Sequence, residues 1–183
     1  MFKKKYFGTY PMNSNGDMSE IEWDILDETR DSFVLITSKC IDAKKFNDSG
    51  DLVSWKNSSL RKWLNDDFYN KAFSLSERSR IVTVKNKSDG PSGVVATSDK
   101  VFLPSQADLR SYSHGFTQWL QAPITMYAIS RGGDFDMLEG RGCWWLRDVS
   151  SFGVMRIGFL GMVLSADADD CDTSIRPMIK IKK

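Results

Sequence analysis

The chain is short of the residues that most often carry chemistry. Among its 183 residues there is one histidine, His114, and there are three cysteines, Cys40, Cys143 and Cys171, none of them in a CxxC pair. Zinc sites built from Cys and His need several such ligands at short local spacings, so the sequence speaks against one and no metal is expected. An odd number of scattered cysteines, with no secretory apolar segment, reads as reduced buried thiols and not as a disulfide framework. Charge of one sign is also lacking, with 25 Lys+Arg against 24 Asp+Glu and a formal net charge of +1. A protein whose main task is to hold nucleic acid or an anionic membrane needs a basic excess, so neither is expected as a partner.

Long apolar runs are missing as well. No stretch approaches the ~18 residues of a membrane span, so no membrane insertion is expected. The longest apolar stretch lies around Phe159 to Leu164 and is broken by Gly161. The opening lysines Lys3, Lys4 and Lys5 are followed by Gly8, Pro11, Asn13 and Asn15 instead of an apolar segment. No signal peptide is read there, and the cytoplasm is the default location. Nor is there a G-x-S-x-G, H-E-x-x-H or Walker A pattern. Nucleophilic catalysis of the Ser/His or Cys/His kind would rest on His114 alone, and its setting, Tyr112-Ser113-His114-Gly115, reads as a polar turn with a solvated imidazole. No catalytic residue and no cofactor are assigned.

What is present describes one globular α+β domain over residues 1–183, with 41% hydrophobic and 27% charged residues. A chain of this length buries roughly 70% of its unfolded surface and needs no disulfide or metal to hold a core. Aromatics make up 12%, six of them tryptophan, which suits a β-rich core or an aromatic-lined face. Ile21, Trp23 and Ile25 alternate with Glu22 and Asp24, and Phe33 to Thr37 is a β-branched run, so residues 21–37 read as a hairpin. From Asn57 the period changes: Leu60, Trp63, Leu64 and Phe68 predict an amphipathic helix over 58–70, capped by Asn57 or Ser58, with Trp63 in the core. Ser74 and Glu77 form a capping-box pattern for a second helix over 74–80, and Ser105 with Asp108 offers another start. Residues 86–98 read as an exposed loop and 111–142 as irregular connection. At least three strands are expected after Cys143.

The acidic run Asp167 to Asp172 fails as an EF-hand loop because Cys171 and Asp172 stand at its fifth and sixth positions, where the sixth must be glycine, so it reads as a solvated turn. The segments Arg131-Gly132-Gly133-Asp134 and Gly140-Arg141-Gly142 lie between no clear strand and helix, and they read as turns, not phosphate loops. Trp144 and Trp145 are adjacent on a strand, so at most one can enter a given core and the other must cover a second layer or a ligand. In Phe152 to Leu164 apolar residues fall on both strand parities between glycines, so some of that surface should be exposed.

Ile21-Glu22-Trp23, Ser59-Leu60-Arg61-Lys62-Trp63-Leu64-Asn65, Phe68-Tyr69, Ala72-Phe73, Val101-Phe102-Leu103-Pro104-Ser105, Trp144-Trp145-Leu146-Arg147 and Ile175-Arg176-Pro177-Met178-Ile179 stand in order along nearly the whole chain. Together they resemble a bacterial domain family of unknown function found in gut Firmicutes and their phages, although its usual Gly-Val-Arg-Pro-Ala-Leu type segment is here Ser174 to Ile179. That family is similar in motif order to the C-type-lectin-like superfamily, which also holds formylglycine-generating enzymes and the variable proteins of diversity-generating retroelements. The resemblance implies small antiparallel sheets, two or three helices and long irregular loops. It also implies non-enzymatic binding of a protein or surface ligand, and a location in the cytoplasm or on a phage particle.

Carried over, the resemblance makes Trp144, Trp145, Leu146, Arg147, Gly161, Val163 and Arg176 the frame. The variable ligand-binding surface would be drawn from Asp148 to Leu164, namely Asp148, Val149, Ser150, Ser151, Phe152, Met155, Arg156, Phe159, Leu160 and Met162. The alternatives are an enzyme related to formylglycine-generating enzymes or a structural module of a phage or cell-surface assembly. The copper-holding cysteine pair of those enzymes is closely spaced, whereas Cys143 and Cys171 are 28 positions apart and Cys40 lies in the N-terminal half.

Overall fold

The computed structural model describes residues 2–112 and 118–183, and His114 lies outside them. The opening strand β1 (Lys4–Pro11) pairs with β2 (Met18–Glu28), which turns into β3 (Ser32–Thr37), the hairpin that the alternation around Trp23 predicts. The closing strand β12 (Met178–Lys182) pairs with β3 on one side and with β7 (Val101–Phe102) on the other, so both chain ends meet in one five-stranded antiparallel sheet, β1-β2-β3-β12-β7. It contributes Phe7, Ile21, Trp23, Leu35, Ile179 and Ile181 to the main core, all buried.

Helices cover that face. Ser58 Oγ accepts the Arg61 N–H at 3.2 Å and starts α1 (Ser59–Trp63). A π turn over Leu64–Phe68 and α2 (Tyr69–Ala72) follow without a break. A second cap, Ser74 with Glu77, starts α3 (Leu75–Arg80) in the capping-box geometry its sequence predicts. The Glu77 carboxylate also accepts the Gly8 N–H at 2.8 Å, tying α3 to β1. Gly8 has φ +73, and a Cβ there would stand 2.6 Å from the Phe73 ring, so only glycine lets strand and helix approach this closely. Trp63 departs from expectation. It is half-buried at the edge of the helix, its ring 5.5 Å from that of Phe68 and under the Lys44 ammonium at 4.5 Å.

The second sheet is smaller and carries the candidate face. Its order is β10 (Val163–Ala166), β9 (Gly153–Ile157), β8 (Trp144–Ser150), β11 (Ser174–Ile175) and β4 (Asp42–Ala43). All pairings are antiparallel except β8 with β11, which is parallel. Trp144 and Trp145 are both fully buried, pointing to opposite sides of β8. Trp145 enters the main core beside Phe46, and its indole N–H donates to the Lys44 carbonyl at 2.8 Å. Trp144 anchors a second core with Cys40, Leu109, Leu120, Ala122, Leu146 and Ile157, donating to the Leu120 carbonyl at 3.0 Å.

Two stretches are more ordered than their composition indicates. Residues 86–98, expected as a loop, lie in a hairpin of β5 (Val84–Ser88) and β6 (Val95–Asp99). Inside it Asn86 and Thr97 donate to one buried carboxylate, Asp99, which also accepts from Trp55 and Arg61. Polar residues that converge on a buried acceptor leave no hydrophobic alternation in the sequence. Within 111–142, α5 (Met126–Ser130) is capped by Thr125, whose Oγ1 accepts the Ala128 N–H at 3.1 Å. Ahead of it, Ser105 and Asp108 cap each other's backbone N–H at the start of α4 (Gln106–Tyr112). The architecture is α+β, with mostly small antiparallel sheets and short helices.

Candidate functional site

The strands β8, β9 and β10 and their two connections hold the residues Asp148 to Leu164. Ser150, Ser151, Phe152 and Gly153 form the β8–β9 turn, in which Ser150 Oγ accepts the Phe152 N–H at 3.1 Å and donates to the Gly153 carbonyl at 3.2 Å. Gly153 has φ +136, and a Cβ there would sit 2.5 Å from the Ala166 carbonyl oxygen, so the turn is locked against β10. Phe152 stands out from it at 87% exposure, with Ser151 exposed and Ser150 half-buried beside it.

The other connection, Gly158 to Met162, closes through Gly158 N–H to Met162 O at 2.9 Å and Gly161 N–H to Gly158 O at 2.8 Å, with Gly161 in the left-handed region. That is a three-residue hairpin loop ending in a glycine bulge. Leu160 is 70% exposed and Met162 61%, and Phe159 is half-buried. Val163 and Leu164, on β10 itself, are 41% and 43% exposed.

This geometry corrects two positions of the sequence-derived face and one of its frame. Asp148 and Val149 are buried. The Asp148 carboxylate accepts the N–H groups of Asp89 (3.1 Å) and Gln106 (2.6 Å), clamping the β5–β6 hairpin and α4 onto β8. Burial pushes its pKa upward against those bonds. Val149 faces Val154 and joins the main core. Val163, assigned to the frame, is instead exposed on β10, the end strand of its sheet among the described residues. Gly161 is half-buried in its loop, while Trp144, Trp145, Leu146, Arg147 and Arg176 are buried.

The remaining positions do not form one patch. β9 spans roughly 17 Å at the usual rise per strand residue, so Phe152 and Leu160 lie at its opposite ends. Between them Met155 is half-buried against the second core. Arg156 is half-buried too, its guanidinium donating to Asp170 (2.8 Å), Asp172 (3.4 Å) and Thr173 (2.7 Å). The acidic run is thus partnered by an arginine. Partial burial, then the Asp170 carboxylate, push Asp172 up to about 6.

Two of the three thiols are buried. Burial pushes the Cys40 thiol up to about 12 and the Cys143 thiol up to about 11, so both stay protonated, and Cys171 is an exposed free thiol. No group of three or more His, Cys, Asp or Glu side chains is arranged to hold a metal among the described residues. Sequence reasoning missed a cleft of about 270 Å³ between the chain at Lys44 and Lys45 and the start of α1, lined also by Trp63, Arg131 and Cys171. It also missed the strongly exposed Met137 and Leu138, on a turn where Asp136 accepts the N–H groups of Leu138 and Glu139. Those residues are far apart in sequence or lie in aperiodic segments, where no spacing signal exists.

A family model described as a domain of unknown function (DUF6273) matches residues 30–183. The chain belongs to that family. No curated protein and no solved structure matches it. The DUF6273 region includes both tryptophans of β8, the candidate face and the Arg176 segment, and its boundary falls between β2 and β3. The strands β1 and β2 ahead of it are hydrogen-bonded into the same sheet as β3. No helix among the described residues is long and apolar enough to cross a membrane.

Proposed function

We propose that this DUF6273 chain is a non-enzymatic binding protein of C-type-lectin-like type, the target protein of a diversity-generating retroelement. It would meet a protein or surface ligand through Ser150, Ser151 and Phe152 at one end of β9 and Phe159, Leu160 and Met162 at the other, with Met155 and Arg156 between. The observation that carries this reading is the separation of frame from surface. Trp144 and Trp145 are fully buried on the two sides of β8, while Phe152, Leu160 and Met162 project from tight turns into solvent. Large apolar side chains held on rigid turns are poorly explained as core and are the kind of anchor that dominates binding energy. Sequence change at such positions leaves the packed residues untouched, which is what a diversified surface requires.

Sequencing the genomic neighbourhood tests the reading. A reverse-transcriptase gene and a near-copy of the 3′ end of this gene are expected, with differences between the two copies concentrated in the codons for residues 150–164. A neighbourhood with neither, or differences spread evenly over the frame codons, overturns it.

A further inference from the structure

The cleft beside α1 is lined by cations that the fold holds in place. Lys44 follows β4 directly, its N–H donates to the Thr173 carbonyl at 3.3 Å, and its carbonyl accepts the Trp145 indole N–H at 2.8 Å. Its ammonium lies 4.5 Å from the centre of the Trp63 ring, so an aromatic face, and not a carboxylate, orients it. Arg131 reaches the same cleft from the end of α5, where its N–H donates to the Tyr127 and Ala128 carbonyls at 3.0 and 3.1 Å. Lys45, exposed, lines it as well.

The acidic groups nearby do not neutralise these three. Asp42, 3.8 Å from the Arg131 guanidinium, already accepts the Tyr10 O–H at 2.6 Å and the Ala43 N–H at 2.8 Å. Among the described residues Lys44 and Lys45 make no ion pair, and neither does Asp48, the one carboxylate in the lining. Asp170 and Asp172, on either side of Cys171 at this cleft, are turned to Arg156 at 2.8 and 3.4 Å. Like charges gathered around about 270 Å³ repel one another unless an anion lies between them. One neutral donor is also at hand: Ser59 Oγ accepts the Asp48 N–H at 3.0 Å, which leaves its own proton to donate.

We infer that this cleft is a binding site for a phosphoryl group, carried by inorganic phosphate or by a small phosphomonoester. A single carboxylate brings one charge and is satisfied by one guanidinium fork, whereas a phosphomonoester brings close to two charges and three strong acceptor oxygens at neutral pH. Two ammonium groups, a guanidinium and a hydroxyl match the second set and exceed the first. Trp63 and Leu60 give the same cleft an apolar wall that the body of an ester can contact. The site goes beyond the ligand-binding face proposed above, none of whose residues lines it.

Isothermal titration calorimetry on the full chain, in a buffer free of phosphate and at matched ionic strength, tests the inference with inorganic phosphate, phenyl phosphate and benzoate. Saturable binding of both phosphates is expected, with benzoate, which has the same ring and one charge, at least about tenfold weaker. Tighter binding of phenyl phosphate assigns the site to an ester, and equal or weaker binding assigns it to the free ion. Lys45→Gln and Arg131→Gln, both at exposed positions, should each weaken phosphate binding about tenfold or more with an unchanged circular dichroism spectrum. Lys39→Gln, at an exposed lysine outside this cleft, should leave it unchanged. Absence of saturable phosphate binding overturns the inference, as does binding that survives both cleft substitutions or is matched by benzoate. None of these results bears on the genomic test of the ligand-binding face.

Discussion

Arg176 is fully buried where the chain leaves β11 in one sheet and enters β12 in the other. Its guanidinium donates to the carbonyls of Thr37 (2.7 Å) and Trp119 (2.5 Å) and to the Asp24 carboxylate (3.2 Å). It also lies over the rings of Trp119 and Trp144, at 5.5 Å and 5.3 Å. A planar cation with forked donors satisfies all of these at once, which a lysine cannot do. Burial lowers its pKa, opposed by Asp24, which Lys4 also holds at 2.6 Å. Arg176→Met keeps much of the length and removes the donors, so it should cost about 3–5 kcal/mol in urea denaturation. A loss below about 1 kcal/mol would show that the two sheets are held together by apolar contact alone.

Asp172 gives a residue-scale prediction in pH. Its folded value of about 6 lies above the ordinary 3.8, so the folded chain holds this proton more tightly than the unfolded chain. Stability linked to it is therefore full at low pH and falls as pH rises from about 4 to about 6. Asp172→Asn fixes the neutral form and leaves the Arg156–Asp170 bond in place. Its melting temperature should exceed that of the native chain at neutral pH, with the gap closing near pH ~4. A pH-independent gap would place the effect in packing and not in titration.

At the scale of elements, the helix from Ser59 to Ala72 shows how a correct period gives a wrong burial. Leu60, Leu64 and Phe68 recur every fourth residue, and the π turn over Leu64–Phe68 is wide enough to keep that line on the sheet. A regular α-helix would rotate the line away and bring Trp63 inward. Asn65, on the face expected to be solvated, instead accepts the N–H groups of Lys100 (2.8 Å) and Val101 (3.2 Å) and pins the helix to β7. Trp63→Ala should therefore cost no more than about 2 kcal/mol, and Trp145→Ala about 3–5. Equal losses in thermal melts would put Trp63 back in the core. Capping boxes were the most legible local signals, because Ser74 with Glu77 and Ser105 with Asp108 satisfy backbone donors within one turn. The β5–β6 hairpin was not legible, because its inner residues are polar and their shared acceptor, Asp99, is held by Arg61 and Trp55 from a distant segment.

For the whole molecule, two cores share one strand. Every exposed position of the candidate face hangs on β8 through β9 or a turn, and Trp144 and Trp145 lock β8 from both sides. Ser151→Ala, Phe152→Ala, Leu160→Ala and Met162→Ala should each leave stability within about 0.5 kcal/mol. For the partner that binds this face, one or two of them should cost more than about 2 kcal/mol of affinity. Losses of stability comparable to a core truncation would assign these residues to packing.

The sequence by itself determined what depends on near neighbours: the N-terminal hairpin, the helix starts, the two-sidedness of the tryptophan pair, and the excess of apolar residues between Phe152 and Leu164. Periodicity and capping act over a few residues, so they can be read without the fold. Only the tertiary structure decided which of those residues face solvent. Asp148 is buried where Asp89 and Gln106 bring it their backbone donors, and Val163 is open on a strand that ends its sheet among the described residues. Strand order and long-range acceptors are properties of the assembled chain, and no spacing along the sequence encodes them.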